Sequence, residues 1–257
     1  MQRRIIVTSS KGGVGKSTTA AMLAVELARR GQNVLLVDLD LGVRCLDLFL
    51  GIENVAVCDF GDVYNQSDLA PRAIRTLDLG LPGEVGFCSS SISLSREEVT
   101  PLDLSLTLEA LSGAMEADFI ICDTSGTTVP EKLAGWANLG VVCTSQMPAS
   151  VRSAAITADH LREAGLNDLA LVITSFEYVE AKECTRSGLL EMIDSAGIRA
   201  IGVVPYDRAL FMAQEAGKLP GKKSEARQAY ANIAARLCGE QPKLFRGIRG
   251  MTGKNVL

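Results

Sequence analysis

Apolar and polar positions along the chain follow two different spacings, and the alternation between them predicts the secondary structure. Short apolar runs predict strands at 4–8, 33–38, 85–88, 118–123, 139–143, 169–174 and 200–204. Helical spacing predicts helices near 16–30, 101–116, 128–137, 151–164, 183–196, 207–216 and 224–238. This order is typical of the α/β class, so we expect a doubly wound, mostly parallel β-sheet flanked by helices. Ligands in such sheets bind beyond the carboxyl ends of the strands.

The composition agrees with a single α/β domain. Of the 257 residues, 47% are hydrophobic and only 5% aromatic, which suits a core of Val, Ile, Leu and Ala. No repeat or long linker divides the chain, so we expect one domain at 1–239 and a tail at 240–257. The net charge of −4 gives no sign of a nucleic-acid partner, and no specific nucleic acid is expected.

The cysteines and the apolar runs bear on the location of the chain. The seven cysteines are scattered without a C-x-x-C pair and several lie in apolar runs, which predicts reduced core thiols. Redox activity or metal binding by some of them is the alternative. No apolar run approaches the ~18 residues of a membrane span, and no signal peptide precedes the first strand. We expect a cytoplasmic chain that is at most peripheral to a membrane.

The strongest chemical signal is a glycine-rich stretch after the first predicted strand, SKGGVGKST at 10–18. Its glycines allow the loop to turn backbone N–H groups toward phosphate oxygens, and the next helix presents its N-terminus to the same charge. Lys16 is expected to reach the β- and γ-phosphates, and the Ser17 hydroxyl to ligate Mg²⁺. The predicted nucleotide-binding residues are Gly12, Gly13, Val14, Gly15, Lys16, Ser17 and Thr18. The alternative is a glycine-rich turn without a ligand.

Three aspartates lie at, or just after, the ends of two predicted strands. Asp38 and Asp40 are two residues apart, so they lie on one side of the chain as it leaves the sheet, and Asp123 ends another buried strand. Asp123 is at the usual place of the acid that holds the shell of Mg²⁺. A strand-end aspartate is often only a cap or a turn residue. Three of them beside a phosphate loop indicate a nucleotide site.

A second lysine, Lys11, connects these motifs to a known family. The stretch KGGVGKST resembles the deviant Walker A motif of the ParA/MinD ATPases. The segments VDLDLGVRCLDLFLGIEN, GVVPYDRALFMAQEAGKLP and ARQAYANIAARLCGE are similar to the MinD branch of that family, so the resemblance runs from about residue 3 to 239. It implies a P-loop NTPase fold, ATP hydrolysis, and ATP/ADP and Mg²⁺ as cofactors.

The resemblance also implies a role for each candidate catalytic residue. Lys11 would cross the interface of an ATP-bound homodimer and contact the phosphates of the partner subunit, whereas the alternative is a solvated lysine. Lys16 would hold the phosphates in its own subunit. Asp40 would orient or deprotonate the attacking water. Asp38 would support the metal site formed with Ser17, and Asp123 would reach Mg²⁺ through water.

The residues near the base are less distinctive. Pro205 and Asp207 match the adenine-proximal turn of the family, but a proline that ends a strand before an Asp-capped helix explains the pair equally well. Thr174 and Ser175 stand where many relatives have Asn-Arg. The resemblance therefore predicts adenine binding near Pro205 without fixing its contacts.

The chain also departs from the MinD pattern at two places on the partner-facing side. The second switch usually reads Asp-[Ser/Thr]-Pro-Ala-Gly, whereas here 123–128 read DTSGTT, which constrains the loop less. Ala149 and Ser153 stand where MinD tends to carry acidic residues. Both departures bear on dimer strength and on the choice of partner.

The tail is predicted to bind membranes. Wound as a helix, its apolar residues lie on the side opposite Lys243 and Lys254, a pattern typical of interfacial anchors. The predicted membrane residues are Leu244, Phe245, Arg246, Ile248, Arg249 and Met251. Glycines at 247, 250 and 253 each weaken a helix by roughly 1 kcal/mol, so we expect disorder until lipid is present. A frayed terminus or a segment packed on the domain is the alternative.

These features together predict a membrane-associated positioning ATPase. The resemblance implies an ATP-state homodimer that binds the anionic inner surface of the cell membrane and helps to position the division septum. Its partners would be a division inhibitor of the MinC type and an ATPase activator of the MinE type. The alternatives are a ParA-like or orphan positioning ATPase that acts on DNA or protein cargo, and a nucleotide-gated binding module with little hydrolysis.

Overall fold

A twisted sheet forms the centre of the molecule. The computed structural model describes residues 2–41, 45–52, 57–124, 126, 128–178 and 188–248. Within these ranges the sheet has eight strands: β1 (Arg3–Thr8), β2 (Val34–Leu39), β3 (Arg75–Thr76), β4 (Val85–Cys88), β5 (Phe119–Thr124), β6 (Leu139–Thr144), β7 (Leu169–Phe176) and β8 (Ala200–Pro205). The strand order is β3-β4-β2-β5-β1-β6-β7-β8, and every neighbouring pair except β3–β4 is parallel.

Helices cover both faces of this sheet. The described helices are α1 (Lys16–Ala28), α2 (Leu46–Leu50), α3 (Phe60–Asn65), α4 (Ala70–Ala73), α5 (Pro101–Met115), α6 (Thr128–Leu133), α7 (Pro148–Glu163), α8 (Leu189–Ala196), α9 (Arg208–Glu215) and α10 (Glu225–Leu237). Helix α1 packs with α10 in one layer, while α3 to α8 pack in the other. The expected doubly wound, mostly parallel sheet is confirmed.

The topology directs the candidate residues to one edge of the sheet. Strand β1 lies between β5 and β6, so the chain fills one side of the sheet before it crosses to the other. The crevice at such a switch point, beyond the carboxyl ends of the strands, is the usual ligand site of these folds. The loop after β1 and the ends of β2 and β5 all face this crevice. Strands β2, β5 and β6 are buried along their whole length because helices cover both of their faces.

Some predicted boundaries were wrong. The helix expected at 128–137 ends at Leu133, where the backbone continues in turns that include Gly135. The helix expected at 183–196 is described only from Leu189, since residues 179–187 lie outside the described part of the chain. Helices α2, α3 and α4 and strand β3 were not predicted, because segments of two to six residues are too short for periodicity to reveal.

The start of the predicted tail packs on the domain. Residues 240–248 form loops and turns, Ile248 is buried, and Leu244 and Phe245 lie against the core. The expectation of disorder is therefore wrong for this stretch, because its apolar side chains are partly or fully buried without lipid. The packed-segment alternative is confirmed here. Arg249 and Met251 lie outside the described residues.

Helix α10 holds this segment through polar contacts. Asn232 Nδ2 donates to the carbonyl of Arg246 over 2.8 Å, and Arg236 Nη2 donates to the carbonyl of Pro242 over 2.7 Å. These side chains satisfy backbone oxygens that a helix would otherwise have paired. The segment must therefore leave α10 before its apolar side chains can reach a membrane.

The cysteines follow the prediction only in part. Cys88, Cys122 and Cys143 are buried free thiols, whereas Cys238 is exposed at the end of α10. Cys184 lies outside the described residues. None of the helices within the described ranges has the length and apolar character that a bilayer crossing requires.

Candidate functional site

The glycine-rich loop leaves β1 and leads directly into α1. Gly13 and Gly15 have φ values of +74° and +79°, which lie in the left-handed region that favours glycine. Apart from the adjoining residues, no atom of the described part of the chain lies within 4 Å of the position that a Cβ would take at Gly12 or Gly13, so the loop borders open space. Gly15 is the N-cap of α1 and supplies no side-chain cap to the first helical N–H groups. These uncapped N–H groups are suited to an anionic ligand.

Hydroxyl groups hold both sides of this loop. The Ser10 hydroxyl lies 2.6 Å from Ser153 Oγ and 2.9 Å from Thr157 Oγ1 on α7. On the other side, the Thr174 hydroxyl donates to the carbonyl of Val14 over 2.7 Å. Ser153, predicted for the partner-facing side, therefore contacts the phosphate loop of its own chain. Ser10 stands where the general phosphate-loop motif has its first glycine, and this substituted position is in direct contact with Ser153.

The two lysines of the loop differ in their surroundings. Lys16 Nζ donates to the carbonyl of Lys11 over 3.5 Å, a long contact that a phosphate oxygen would readily replace. The ammonium group of Lys11 has no hydrogen-bond or ion-pair partner among the residues that the structure describes. Lys11 thus carries a charge that is available to another molecule.

The carboxylates form a second group, at the ends of β2 and β5 and on the same edge of the sheet as the loop. Asp38 on β2 is the direct neighbour of Asp123 on β5, and both are 1% exposed. Asp38 Oδ1 accepts from the N–H of Asp40 over 3.0 Å, and Asp38 Oδ2 accepts from the N–H of Leu46 over 3.4 Å. Asp38 therefore binds backbone N–H groups both just after β2 and at the start of α2.

Burial alters the acidity of both aspartates. Desolvation, followed by the charge of Asp123, raises the pKa of Asp38 to about 8. Desolvation also raises the pKa of Asp123 to about 7, although the Ser17 hydroxyl and the charge of Lys16 act in the opposite direction. In the absence of a cation, two neighbouring buried carboxylates therefore do not both ionise readily at neutral pH.

A pH-dependent stability follows for the ligand-free chain in EDTA. Both folded-state pKa values lie above the ordinary value of 3.8. The two protonated carboxyl groups therefore make their full contribution to the stability of the folded state below about pH 4, and this contribution is lost as the pH rises to about 8. We expect the free energy of unfolding to fall over this range, and to fall less in Asp38→Asn. Urea unfolding at pH 5 and pH 8 measures this difference. Parallel decreases in the wild type and the variant would contradict it.

The same residues suit a divalent cation. Asp123 Oδ1 is buried and has no hydrogen-bond partner within the described ranges, so a buried carboxyl oxygen is left without compensation. Hard oxygen ligands of this kind, with the Ser17 hydroxyl nearby, match the preference of Mg²⁺. Among the described residues no group of three His, Cys, Asp or Glu forms a metal cage.

Asp40 lies at the edge of the cleft, and its backbone and its side chain contact different residues. Its N–H donates to Asp38, and its carbonyl accepts from the Ser90 hydroxyl over 3.1 Å. Arg96 Nη2 lies 3.4 Å from Asp40 Oδ1 and forms an ion pair with it. Sequence reasoning missed Arg96, because no motif marks it and it lies 56 positions from Asp40.

The loop and Asp40 face a cleft of about 630 Å³ that is large enough for a nucleotide. Its lining includes Lys16, Ser17, Asp40, Arg96 and Gln214. The Gln214 side chain on α9 is hydrogen-bonded to the Thr18 hydroxyl, with Nε2 3.0 Å from Oγ1. Helix α9 therefore forms one wall of the cleft, which sequence reasoning did not predict.

A smaller cavity of about 220 Å³ adjoins the cleft where the base is expected. It is lined by Pro205 together with two exposed aromatic residues, Tyr206 and Phe211, neither of which was predicted. Ser175 borders the same cavity with φ +49°, at a register irregularity between β7 and β8. The arrangement offers flat apolar surface to an aromatic ring.

Asp207 borders this cavity but acts mainly as a helix cap. Its Oδ1 accepts from the N–H of Ala209, while its Oδ2 accepts from the Ser224 hydroxyl over 2.6 Å and from the N–H of Ala226 over 3.1 Å. Partial burial opposes ionisation, but the hydrogen bonds prevail and hold the pKa of Asp207 below its ordinary value. The capping alternative is confirmed, and adenine contact by Pro205 and Asp207 stays a prediction.

Comparisons with known proteins bear on the family and the fold of this chain. A family model described as the CobQ/CobB/MinD/ParA nucleotide binding domain matches residues 5–220. The septum site-determining protein MinD of Buchnera aphidicola (subsp. Schizaphis graminum) is 31% identical over 96% of this chain and 95% of its own length.

Solved structures give the same result for the fold. The Aquifex aeolicus MinC:MinD cell division protein complex contains a chain with a TM-score of 0.83 and 25% identity, covering 94% of this chain and 98% of that one. MinD from Pyrococcus horikoshii, solved with Mg-ADP, has a TM-score of 0.75 at 22% identity and covers 92% and 96%. The second likeness concerns the fold alone.

Proposed function

Since the chain belongs to the CobQ/CobB/MinD/ParA family of nucleotide-binding domains, we propose that it is an ATPase of the MinD type. It binds Mg-ATP in the cleft, pairs with a second copy in the ATP state and separates after hydrolysis. One observation carries this proposal. The phosphate loop and Asp40 line one cleft, and Ser17 of that lining is hydrogen-bonded to Asp123, whose Oδ1 is buried and unpartnered within the described residues and whose strand neighbour is Asp38.

The nucleotide would be held at three points. Gly12 to Thr18 and the first turn of α1 bind the phosphates, with Lys16 at the β- and γ-phosphates. The Ser17 hydroxyl and Asp123 would hold Mg²⁺, with Asp38 beside them, and the ion would neutralise charge on the phosphates. The cavity between Pro205 and Phe211 would take adenine. The Mg-ADP bound by the Pyrococcus protein supports this choice of ligand.

The chemistry would rest on positioning and charge. Phosphoryl transfer needs an aligned water and cations around the transferred group, and little else from the protein. Asp40 orients the attacking water from the edge of the cleft. Lys11, whose ammonium group has no partner within the described residues, contacts the phosphates bound by the other subunit. Dimer formation is thereby coupled to ATP, because only ATP offers the charge that compensates for burying this lysine.

Replacing Asp40 separates an enzyme from a nucleotide-gated binding module. We expect Asp40→Ala to lower kcat by about 10²-fold while the affinity for ATP changes little, since the carboxylate acts on water and not on the phosphates. Phosphate release under saturating ATP gives kcat, and a fluorescent ATP analogue gives the affinity. Asp159→Ala, which removes an exposed carboxylate on α7, is the control. Equal and very low rates in the wild type and Asp40→Ala would favour the binding module.

We also propose that the tail attaches the ATP dimer to an anionic membrane. Leu244, Phe245 and Ile248 supply apolar surface and Arg246 supplies charge, but all of the apolar ones lie against the domain before release. Each tail alone binds weakly, and a dimer brings two tails to the same surface, which multiplies the affinity. The septum role of the curated MinD relatives supports this location.

Truncation after Gly239 tests the membrane proposal. We expect the full chain to sediment with anionic liposomes in ATP and not in ADP, and the truncated chain to stay in the supernatant in both. Phe245→Glu in the full chain is the matched variant, because it removes one apolar contact and keeps the tail. ATP hydrolysis of each variant reports whether the domain still folds. Sedimentation that does not depend on nucleotide, or that persists in the truncated chain, would contradict the proposal.

Septum placement is the biological role that we propose. The Buchnera relative is named for septum-site determination, and the Aquifex chain is part of a MinC:MinD complex, which supports a division inhibitor of the MinC type as partner. An activator of the MinE type would stimulate hydrolysis. The alternative is a ParA-like ATPase that acts on DNA or protein cargo. Binding of the ATP dimer to DNA instead of to liposomes would favour that alternative.

A further inference from the structure

The base cavity, which is the smaller cavity beside Pro205, is lined by polar side chains that are mostly hydrogen-bonded within the protein. The Thr174 hydroxyl lies between two carbonyl oxygens, 2.7 Å from that of Val14 and 3.0 Å from that of Thr144. Both carboxylate oxygens of Asp207 accept hydrogen bonds that cap α9 and α10. Neither side chain can turn toward a base without breaking a hydrogen bond of the domain.

Two longer side chains of the same lining also have partners. The Gln214 amide nitrogen lies 3.0 Å from the Thr18 hydroxyl, and the Tyr230 hydroxyl lies 3.1 Å from that of Thr19. A site rejects a wrong ligand strongly when that ligand leaves buried polar groups of the site unpaired. Because these side chains are already paired within the protein, exchanging one purine base for another leaves none of them unpaired.

The other polar side chains of the described lining are hydroxyl groups of two exposed residues, Ser175 and Tyr206. A hydroxyl group rotates, so it can donate a hydrogen bond to an acceptor or accept one from a donor. Adenine presents an amino donor at the position where guanine presents a carbonyl acceptor. Either hydroxyl group therefore suits both bases.

Aromatic surface supplies the remaining contact with a base. Phe211 on α9 is 54% exposed and borders both the base cavity and the phosphate cleft, and Tyr206 is the second exposed ring of the cavity. Stacking on such rings tolerates every base, because each base has a π-face. Since both rings are exposed, the edge of a stacked base keeps contact with water, and an unmatched edge group costs little.

We propose that the site accepts purine nucleotides generally, so that Mg-GTP is a substrate as well as Mg-ATP. The protein recognises the base by its ring surface, and the polar edge of the base contributes little to the choice. Water attacks the γ-phosphate in either case, and GTP yields GDP and phosphate. The inference rests on the proposed function, because the cleft must bind the phosphates of a nucleotide before the base can occupy the cavity.

Binding of nucleoside diphosphates tests the inference without requiring hydrolysis. Isothermal titration of the full chain with Mg-ADP, Mg-GDP and Mg-CDP gives the three affinities. We expect the affinities for ADP and GDP to differ by less than tenfold, since one neutral hydrogen bond contributes about fivefold. CDP should bind about tenfold more weakly than either purine nucleotide, because its single ring offers less stacking surface. With the triphosphates, kcat for ATP and GTP should agree within about twofold, since the reacting groups are the same.

Variants of the lining separate stacking from recognition of the base edge. Phe211→Ala should weaken the binding of ADP and GDP by about tenfold each and leave the ratio of the two affinities unchanged. Ser175→Gly removes a hydroxyl group at a φ of +49°, which glycine tolerates, and should change both affinities by the same factor. Met212→Ala is the control and should bind both as the wild type does. Met212 is the exposed neighbour of Phe211 on α9 and lies outside the described lining of the cavity and of the cleft.

Three results would overturn the inference. They are a preference of tenfold or more between ADP and GDP, a loss in Ser175→Gly that is confined to one of the two, and equal affinities for all three diphosphates. The first two would mean that polar groups recognise the edge of the base, and the third that the base lies outside the cavity.

The same measurements keep the inference distinct from the proposed function. A chain that binds ADP and GDP alike, and CDP more weakly, without hydrolysing either triphosphate would refute the proposed ATPase and still support the inference. Binding of none of the diphosphates would refute both.

Discussion

Replacing Lys11 by alanine is expected to abolish dimer formation in ATP and to lower ATP turnover about 10³-fold, while ADP binding is retained. The reason is the absence of any partner for the Lys11 ammonium group within the described residues, which leaves it free to act on a second subunit. Cations supplied across an interface to a transferred phosphoryl group contribute about 10³- to 10⁵-fold in other nucleotide hydrolases. Phosphate release and light scattering measure the two losses.

The control for this variant is Lys222→Ala. Lys222 is an exposed lysine outside the cleft, so its removal changes the net charge equally without touching the site. If Lys11→Ala dimerises and hydrolyses ATP as the wild type does, Lys11 is only a solvated charge. That result would remove the partner-subunit contact from the proposed mechanism.

Replacing Lys16 by alanine is expected to remove nucleotide binding itself. Lys16 borders the cleft and makes only a 3.5 Å contact with the Lys11 carbonyl, so its charge is poised for phosphates in its own subunit. We expect the affinity for both ATP and ADP to fall at least 10²-fold and turnover to become undetectable. Isothermal titration with Mg-ADP and Mg-ATP measures the affinities.

The affinity for ADP distinguishes the two lysine variants. Lys16→Ala should lose affinity for ADP as well as for ATP. Lys11→Ala should keep ADP binding and lose only dimer formation and the ATP turnover that depends on the second subunit. Thermal unfolding of both variants without nucleotide should match the wild type, because neither side chain is buried. Unimpaired ADP binding by Lys16→Ala would contradict the phosphate-loop assignment.

Local patterns were sufficient for the phosphate loop and for most of the sheet. The glycines, Lys16 and Ser17 act through a short continuous segment, so their spacing in the sequence predicts their position after β1. Asp38 and Asp123 were expected at the same edge of the sheet, but their direct contact depends on β2 lying beside β5, a strand order that was not predicted.

Long-range packing explains what could not be predicted. Arg96 contacts Asp40 from the segment between β4 and α5, where Lys132 binds the carbonyl of Arg96, and no sequence pattern indicates either contact. The pairing of Ser10 with Ser153 joins residues 143 positions apart. Each residue could be recognised as a departure from the family pattern, but their contact depends on how α7 packs beside the loop.

The tail shows the limit of amphipathic patterns. The same apolar residues that predict an interfacial helix also suit a segment packed on a domain, because both environments bury apolar surface. In the structure, Ile248 is part of the hydrophobic core, and Leu244 and Phe245 pack against it. Membrane attachment therefore requires a release step, and the energy lost from this packing must be recovered from lipid.

The most direct test of the account is the molar mass of the chain in each nucleotide state. Light scattering with Asp40→Ala in Mg-ATP prevents turnover from depleting the dimer, and the wild type in Mg-ADP gives the product state. The account predicts twice the chain mass of 27.3 kDa in Mg-ATP and a single chain mass in Mg-ADP. The same mass in both states would contradict an ATP-driven dimer switch.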